Sequence, residues 1–205
     1  MKKNILYFIL VLVICMASCS KKKTFSKDEL TLIRGGAADT TFRILEVTNE
    51  QDLAILRKQS SDFNDFTAPD FKLFIERLKT TLINEDGVGI AAPQVGVLKN
   101  IFLVVRVDKQ EEPIEAIINP KIISHSENTI CFNDDGCLSI PDIVGNSMRY
   151  PWIEVEYQDI NGNSIRERLE GYSRDDNFMS IIFQHEYDHL IGILFTDKLC
   201  VDEVE

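Results

Sequence analysis

Two of the three histidines in this 205-residue chain lie four residues apart, in the segment HEYDH at 185–189. Residues i and i+4 of an α-helix project from the same face, one turn apart. Two imidazoles in that arrangement can bind one divalent metal ion, and a glutamate after the first histidine can reach a water molecule at that ion. The spacing therefore predicts a hydrolytic metal site with His185 and His189 as ligands and Glu186 as the base.

The residues around this motif favour a buried helix. Apolar side chains occupy positions 178, 179, 181, 182 and 183, and Gly192 follows as a stop signal. A helix that is apolar on nearly every side is buried, and buried imidazoles need polar partners, which a metal ion provides. A solvated surface helix with two incidental histidines is the alternative, and it does not suit so apolar a flank.

A catalytic metal site of this type has three protein ligands and one open position. Only sixteen residues follow His189, and none of them is a histidine, so the third ligand is expected upstream. Cys137 is the best candidate, because a thiolate is a strong soft ligand and Gly136 permits close approach of the backbone. Taken alone, Cys137 favours a buried free cysteine, which is common in proteins.

The segment GVGIAAPQVG at 87–96 is a further unusual feature. Its glycines and alanines let the backbone pass close to another group, and Gln94 offers both a hydrogen-bond donor and an acceptor. The spacing is not that of a GxGxxG nucleotide-binding loop. By itself, this segment is weak evidence for any function.

Three segments in this order resemble the signature motifs of the peptide deformylase family: GVGIAAPQ at 87–94, DGCLS at 135–139 and HEYDH at 185–189. INP at 118–120 and GILF at 192–195 also match sequence patterns that are typical of the family. Many peptidases share HExxH, whereas the three motifs in order are highly specific. The resemblance covers roughly residues 42–199 of the sequence.

The resemblance implies removal of the N-formyl group from formyl-methionyl peptides. It implies one divalent metal ion, most often Fe(II), with Zn, Ni or Co able to substitute. Cys137, His185 and His189 would be the ligands, and Glu186 would act as general base and then as general acid. The side-chain amide of Gln94 would stabilise the oxyanion.

The resemblance also assigns residues to the oxyanion and to the substrate. The backbone N–H of Leu138 would help to stabilise the oxyanion. The backbone around Gly89, including Val88 and Ile90, would pair with the substrate peptide. A methionine side chain would also need an apolar pocket, and Ile182, one turn before His185 on the same helix face, is expected to form one wall of it, with Val88 opposite.

The chain departs from the family pattern at several positions. Asp135 replaces the usual glutamate, which pairs with an arginine, and Arg149 has the correct spacing for that structural pair. Met148 replaces the usual proline before the arginine, and residues 173–177 form an insertion before the metal helix, close to the pocket.

The first 19 residues have the pattern of an export signal. A short basic region precedes an apolar run at 5–15, which is too short for a comfortable membrane span, and small residues lead to Cys19. This pattern resembles a bacterial lipoprotein signal, in which lipidated Cys19 would anchor an exported protein to a membrane. The alternatives are an ordinary cleaved signal, an uncleaved anchor favoured by the lysines at 21–23, and a cytoplasmic protein.

Composition limits the remaining possibilities. Residues 20–41 are expected to be a polar tether, and residues 42–205 the catalytic domain, which is expected to be a monomer. The formal net charge is −11, so we expect no binding to nucleic acid. Outside the signal there are three cysteines, an odd number that makes a poor disulfide framework: Cys131, Cys137 and Cys200.

Hydrophobic periodicity predicts an α+β fold. A helix is expected over 70–83, and strands over 101–107, 114–118 and 153–157, the second closed by Asn119-Pro120. Asn161-Gly162 predicts a hairpin into a strand at 164–169. We expect antiparallel strands wrapped around a central metal-binding HExxH helix.

Two other functions compete with deformylation. One is an HExxH metallopeptidase that cleaves internal peptide bonds, which would not need Cys137 as a ligand. The other is a lipoprotein that binds formyl peptides without turnover, and the presence of every ligand, the base and Gln94 argues against it.

Overall fold

The computed structural model describes residues 24–200. The helices of this part of the chain are α1 (Lys27–Arg34), α2 (Glu50–Leu56), α3 (Pro69–Asn84) and α4 (Met179–Leu190). The strands are β1 (Gly89–Ala91), β2 (Ile101–Val105), β3 (Ile114–His125), β4 (Ile130–Cys137), β5 (Ile140–Arg149), β6 (Trp152–Gln158) and β7 (Ser164–Glu170), and two short 3-10 helices span Ala92–Val95 and Phe195–Lys198.

The strands form two antiparallel sheets. The larger sheet has the order β1-β2-β3-β6-β7, and β4 and β5 pair separately as a hairpin. Helices and antiparallel sheets together confirm the predicted α+β class. Strand β1 lies at an edge of the larger sheet, so one side of its backbone has no neighbouring strand among the described residues.

Helix α4 lies in the interior. Eleven of its twelve residues are buried, and it packs against β1, β2 and β7. The ring of Phe183 meets that of Phe102 edge-on, with 5.0 Å between the centroids. The apolar flank that predicted burial therefore brings the HEYDH segment into a low-dielectric interior.

Several local predictions are confirmed. Helix α3 covers the segment expected at 70–83 and begins at Pro69, a residue suited to a first helical turn. The connection between β6 and β7 contains Asn161-Gly162, with Gly162 at φ 83°. The residue types of that turn set the hairpin as expected.

One strand is longer than predicted. The sequence places a strand end at Asn119-Pro120, but β3 continues to His125. Asn119 adopts the left-handed region at φ 51°, and the pairing with β6 shifts register between Ile118 and Lys121. A β-bulge accommodates Pro120, which lacks an N–H donor for the ladder, and the strand continues beyond it.

The predicted tether over 20–41 requires a correction. From residue 24 onward the chain is folded, with α1 begun by a capping box between Ser26 and Glu29. Phe25 and Ile33 are buried in the main core, and the Arg77 side chain donates to the carbonyls of residues 32, 33, 40 and 41. The segment is polar on average, but Phe25 and Ile33 lie in the main core and Leu30 packs against it, while Leu32 remains exposed.

The predicted signal at 1–19 lies outside the described residues. Across residues 24–200, no helix combines the length and the apolar character needed to cross a membrane.

Candidate metal centre

Three side chains that can ligate a metal ion converge between β4 and α4. Cys137 is the last residue of β4, and His185 and His189 lie one turn apart on α4. Their candidate ligand atoms all lie within 4.8 Å of one another, and Cys137 Sγ is 3.3 Å from His189 Nε2. One thiolate and two imidazoles form a donor set that suits zinc or iron.

The hairpin that carries Cys137 did not stand out in the sequence. Its pairing shifts register between Phe132 and Asp135 and again between Gly136 and Cys137. Most residues of β4 and β5 are exposed or half-buried, so the alternation of a half-buried strand is missing. Such bulges redirect side chains next to functional sites, and here Asp135 and Cys137 both reach α4.

Asp135 orients the first histidine. Nδ1 of His185 donates to Asp135 Oδ1 at 2.9 Å, which leaves Nε2 of the same ring for a metal ion. Arg149 Nη2 donates to the other carboxylate oxygen at 2.8 Å. Burial raises the pKa of Asp135, but His185 and Arg149 outweigh it and hold that pKa well below its ordinary value.

Arg149 connects the hairpin to the metal helix. Its side chain is fully buried and donates from Nη1 to Asp188 Oδ2 at 2.6 Å, in addition to its bond with Asp135. Asp188 also accepts from Lys198 Nζ at 2.7 Å. The structure thus brings together the pair expected from the sequence and adds Asp188 as a second partner.

His189 is buried among these groups. Burial lowers its pKa well below the ordinary value of histidine, and His185 lowers it further. A neutral imidazole is the form that binds metals, so the environment favours the ligating state. Nδ1 of His189 has no hydrogen-bond partner among the described residues.

Glu186 has the environment of a general base. Its carboxyl group is buried, and Oε2 has no hydrogen-bond partner within residues 24–200. Burial raises the pKa of Glu186 to about 7, which suits proton transfer near neutral pH. A methyl group on Gly89 would lie 2.8 Å from Glu186 Cδ, so only glycine leaves room for the carboxyl group at β1.

Gln94 lies beside the three candidate ligands. Its Oε1 accepts a hydrogen bond from Ala91 N at 2.8 Å, which assigns the amide orientation. Nε2 is then 3.2 Å from Ser139 Oγ and 3.6 Å from Cys137 Sγ. A donor is therefore fixed next to the place where a metal ion would lie.

These groups border a cavity of about 560 Å³. Among the residues singled out in the sequence, its lining includes Val88, Gly89, Gln94, Asp135, Cys137, Leu138, Ile182, His185 and Glu186. Ile90 was expected to offer only its backbone to a substrate, and its side chain is fully buried in the main core and does not line the cavity. Strand alternation explains this, since successive side chains point to opposite faces.

The sequence did not single out several residues that position the site. Ser139 contacts Gln94, Ser147 donates to Asp135 at 2.5 Å, and Asp188 accepts from Arg149. Asp188 lies within HEYDH and Ser139 directly follows Cys137-Leu138, so both were close to motifs already in view. Ser147 carries no sequence signal that we can name, because its role depends on the register of the hairpin.

Comparisons with known proteins agree with this geometry. A sequence model described as polypeptide deformylase matches residues 42–204. A protein named peptide deformylase from Thermotoga neapolitana is 38% identical over 145 residues, which is 71% of this chain and 81% of that protein. Peptide deformylase 1 from Vibrio vulnificus is 36% identical over 156 residues, or 76% of this chain and 86% of that protein. The chain belongs to the peptide deformylase family.

Solved structures show the same fold. The crystal structure of peptide deformylase from Thermotoga maritima is 34% identical and covers 78% of this chain and 99% of its own, with a TM-score of 0.68. A class I type b peptide deformylase from Acinetobacter baumannii, solved with Met-Ala-Ser bound, is 26% identical with the same coverage and a TM-score of 0.69.

Proposed function

We propose that this protein hydrolyses the N-formyl group of formyl-methionyl peptides, with Cys137, His185 and His189 holding one divalent metal ion. The observation that carries the proposal is the convergence of these ligand atoms within 4.8 Å, in the same cavity as the unpartnered, buried carboxyl group of Glu186. This arrangement lies on the fold of a family whose named members are peptide deformylases.

The residues present fit a metal ion. A half-buried thiol, a buried neutral imidazole and a buried, unpartnered carboxyl group are expensive to hold together without a cation. A bound divalent ion supplies a Lewis acid that polarises the formyl carbonyl and makes water more acidic. The family resemblance puts Fe(II) first, and Zn, Ni or Co can substitute because a mixed thiolate and imidazole set accepts all of them.

The chain's own residues carry the proton. Glu186 takes a proton from the attacking water while the water oxygen bonds to the formyl carbon. The negative charge that develops on the carbonyl oxygen is stabilised by Nε2 of Gln94 and the backbone N–H of Leu138. When the C–N bond breaks, Glu186 returns the proton to the departing amine, so that formate and a free N-terminus result.

The geometry also suits a peptide substrate. The edge of β1 offers the backbone of Val88, Gly89 and Ile90 for pairing with an extended peptide, a common mode of peptide recognition. Ile182, one helical turn before His185, and the half-exposed Val88 line the cavity where a methionine side chain would enter. The related structure from Acinetobacter baumannii has Met-Ala-Ser bound.

One assay separates the proposal from its alternatives. The full-length protein, purified without oxygen, is incubated with formyl-Met-Ala-Ser, acetyl-Met-Ala-Ser and a longer peptide with a blocked N-terminus. We expect formate release from the first peptide and no cleavage of the other two. Internal cleavage of the longer peptide would support a metallopeptidase, and tight binding of formyl-Met-Ala-Ser without formate would support a binding protein.

We further propose that the protein is an exported lipoprotein, anchored through Cys19 and monomeric. The basic, apolar and small-residue pattern of the first 19 residues supports this location. The Cys131–Cys200 disulfide gives independent support, because structural disulfides persist mainly in oxidising compartments. It also accounts for the odd number of cysteines, since Cys137 alone is left free among the described residues.

The location has its own test. Cells expressing the full chain and its Cys19→Ala variant are fractionated, and the mature N-terminus is determined by mass spectrometry. We expect a diacylated Cys19 in the membrane fraction and its absence in the variant, because stable anchoring takes more than one acyl chain. An intact Met1 on a soluble protein would restore a cytoplasmic role.

A further inference from the structure

The loop between β7 and α4 contains residues 173–177, which the sequence predicts to be an insertion. Backbone hydrogen bonds connect the two ends of this loop. Tyr172 N donates to Asn177 O at 2.7 Å, and Gly171 and Phe178 form an isolated antiparallel bridge. The side chain of Asn177 accepts from Met179 N at 2.9 Å, which ties the loop to the start of α4. The loop therefore presents its middle residues in a defined place.

Arg174 reaches from this loop to the β4–β5 hairpin. Its Nη2 donates to the backbone carbonyl of Asp134 at 2.7 Å. Its guanidinium lies 5.5 Å from the ring centroids of both Phe132 and Phe178, whose rings stack at 6.1 Å. A cation this close to two aromatic rings is attracted by them, so two kinds of contact fix the charge in position.

This charge lies at one end of the cavity wall. His185 and Ile182 follow one another along one side of α4, and Phe178 is the residue directly before the helix. All three line the cavity, as does Arg174. At 1.5 Å of rise per residue, Phe178 is about 10 Å along the helix axis from His185. The wall therefore runs from the candidate reaction centre through apolar side chains and ends at the Arg174 guanidinium.

No other arginine or lysine lines this cavity among the described residues. The remaining charged side chains around it, apart from Asp135 and the candidate reaction centre, are four carboxylates: Glu46, Glu85, Asp86 and Asp142. Removal of Arg174 would leave a cavity that attracts cations. Arg174 is therefore the one arginine or lysine among the described lining residues that can oppose a positive charge at the far end of the wall.

We propose that Arg174 is a specificity-determining residue, which makes the pocket reject a first residue whose side chain ends in a positive charge. The inference rests on the proposed function, because it requires the residue that bears the formyl group to extend along this wall. An apolar tip meets the aromatic rings without penalty, a cationic tip is repelled by the guanidinium, and an anionic tip is attracted by it.

The test compares three substrates on the full-length protein: formyl-norleucyl-Ala-Ser, formyl-lysyl-Ala-Ser and formyl-glutamyl-Ala-Ser. Arg174→Met keeps an unbranched side chain of similar reach but removes the charge. We expect the kcat/KM ratio of the lysyl to the norleucyl peptide to rise about tenfold in this variant, and the ratio of the glutamyl to the norleucyl peptide to fall about tenfold. Opposite movement of the two ratios distinguishes charge from size.

Arg168→Met is the matched control. The Arg168 guanidinium also lies over an aromatic ring, 4.0 Å from the centroid of Trp152, but it does not line the cavity. Both ratios should stay at the wild-type value in this control and in Arg174→Lys, which keeps the charge.

Two outcomes would overturn the inference. One is turnover of the norleucyl peptide by Arg174→Met with both ratios within about twofold of wild type. The other outcome is measured on the wild-type protein and applies even if Arg174→Met fails to fold. Salt screens charge interactions, so the inference is wrong if added salt leaves the wild-type preference between the lysyl and norleucyl peptides unchanged. Failure of the wild-type protein to release formate from any peptide would instead remove the proposed function, and this inference with it.

Discussion

At the scale of single residues, Gly89 and Glu186 share one small space. The Glu186 carboxyl group lies against the Cα of Gly89, where a methyl group would overlap it. We expect Gly89→Ala to lower kcat/KM for formyl-Met-Ala-Ser about 100-fold or more, because displacement of a catalytic group by about 1 Å has that effect. Gly136→Ala is the matched control, since its added methyl would meet Val144 Cγ2 at a comfortable 3.9 Å. Equal activity of the two variants would contradict this view of Gly89.

The role of Glu186 itself makes a second prediction. Glu186→Gln keeps the size of the side chain but removes its ability to take a proton. Formate release should fall about 10²- to 10⁴-fold, the usual contribution of a general base, while metal content stays at the wild-type level because Glu186 is not a ligand. Glu170→Gln, on an exposed side chain of β7, serves as control. Wild-type turnover by Glu186→Gln would remove the proposed mechanism.

The residues of the site were largely predictable from the sequence, because the chemistry restricts residue type and spacing. HEYDH carries its own geometry, since i and i+4 are neighbours on any helix. The place of Cys137 was not derivable from spacing alone, because 48 positions separate it from His185, and the family resemblance supplied it. Ser147 could not be assigned, since its surroundings depend on strand register and on which face its side chain takes.

At the scale of elements, Arg149 joins the β4–β5 hairpin to α4. Its removal would leave Asp135 and Asp188 buried, each having lost a cationic partner. We therefore expect Arg149→Ala to lower the free energy of unfolding by about 3–5 kcal/mol, the usual cost of breaking a buried ion pair. Metal affinity should fall as well, because Asp135 orients His185.

Denaturant unfolding of Arg149→Ala and Arg166→Ala provides the measurement. Arg166 makes only exposed ion pairs with Glu154 and Glu156, so its loss should change stability by less than about 1 kcal/mol. A similar small change in Arg149→Ala would show that the hairpin does not depend on this arginine.

Elements were predictable where periodicity was strong. Helix α3 and the β6–β7 hairpin follow their patterns closely, whereas β4 and β5 did not, because two register shifts interrupt their alternation. Helix α1 was missed because its composition is polar and it has only eight residues. The signal that could have found it is Ser26-x-x-Glu29, a capping box directly before its first apolar residues.

At the scale of the whole molecule, the folded unit extends beyond the part that matches the family. The family match begins at residue 42, yet Phe25 packs its ring 4.8 Å from that of Phe63 and 5.5 Å from that of Phe74. The chain before residue 42 therefore contributes to the core. From residue 24 onward, the segment predicted to be a tether is part of the folded domain.

This packing predicts a stability effect. Phe25→Ala should lower the free energy of unfolding by about 3–5 kcal/mol, as expected for truncation of a buried aromatic side chain. Leu32→Ala on the same helix removes a side chain that is 46% exposed, and its effect should be within about 1 kcal/mol. Thermal melts of both variants decide the matter. Equal melting temperatures would mean that α1 adds nothing to the stability of the domain.

The global arrangement was the part least accessible from the sequence. Which cysteines pair is set by the path of the chain: Cys131 and Cys200 are 69 residues apart and meet only because the C-terminal segment pairs with β5. Cys137, six residues from Cys131, is left for the metal centre. Cysteine counting alone gave no basis for choosing between these partners.

The central claim is that Cys137 is a metal ligand of a hydrolytic site, and Cys137→Ser tests it most directly. Metal per protein chain and formate release from formyl-Met-Ala-Ser are measured on the same anaerobic preparations of wild type and variant. A hydroxyl group is a far poorer ligand than a thiolate. We expect about one metal ion per wild-type chain and a parallel loss of metal and turnover in the variant. Full metal content together with wild-type turnover in Cys137→Ser would contradict the claim.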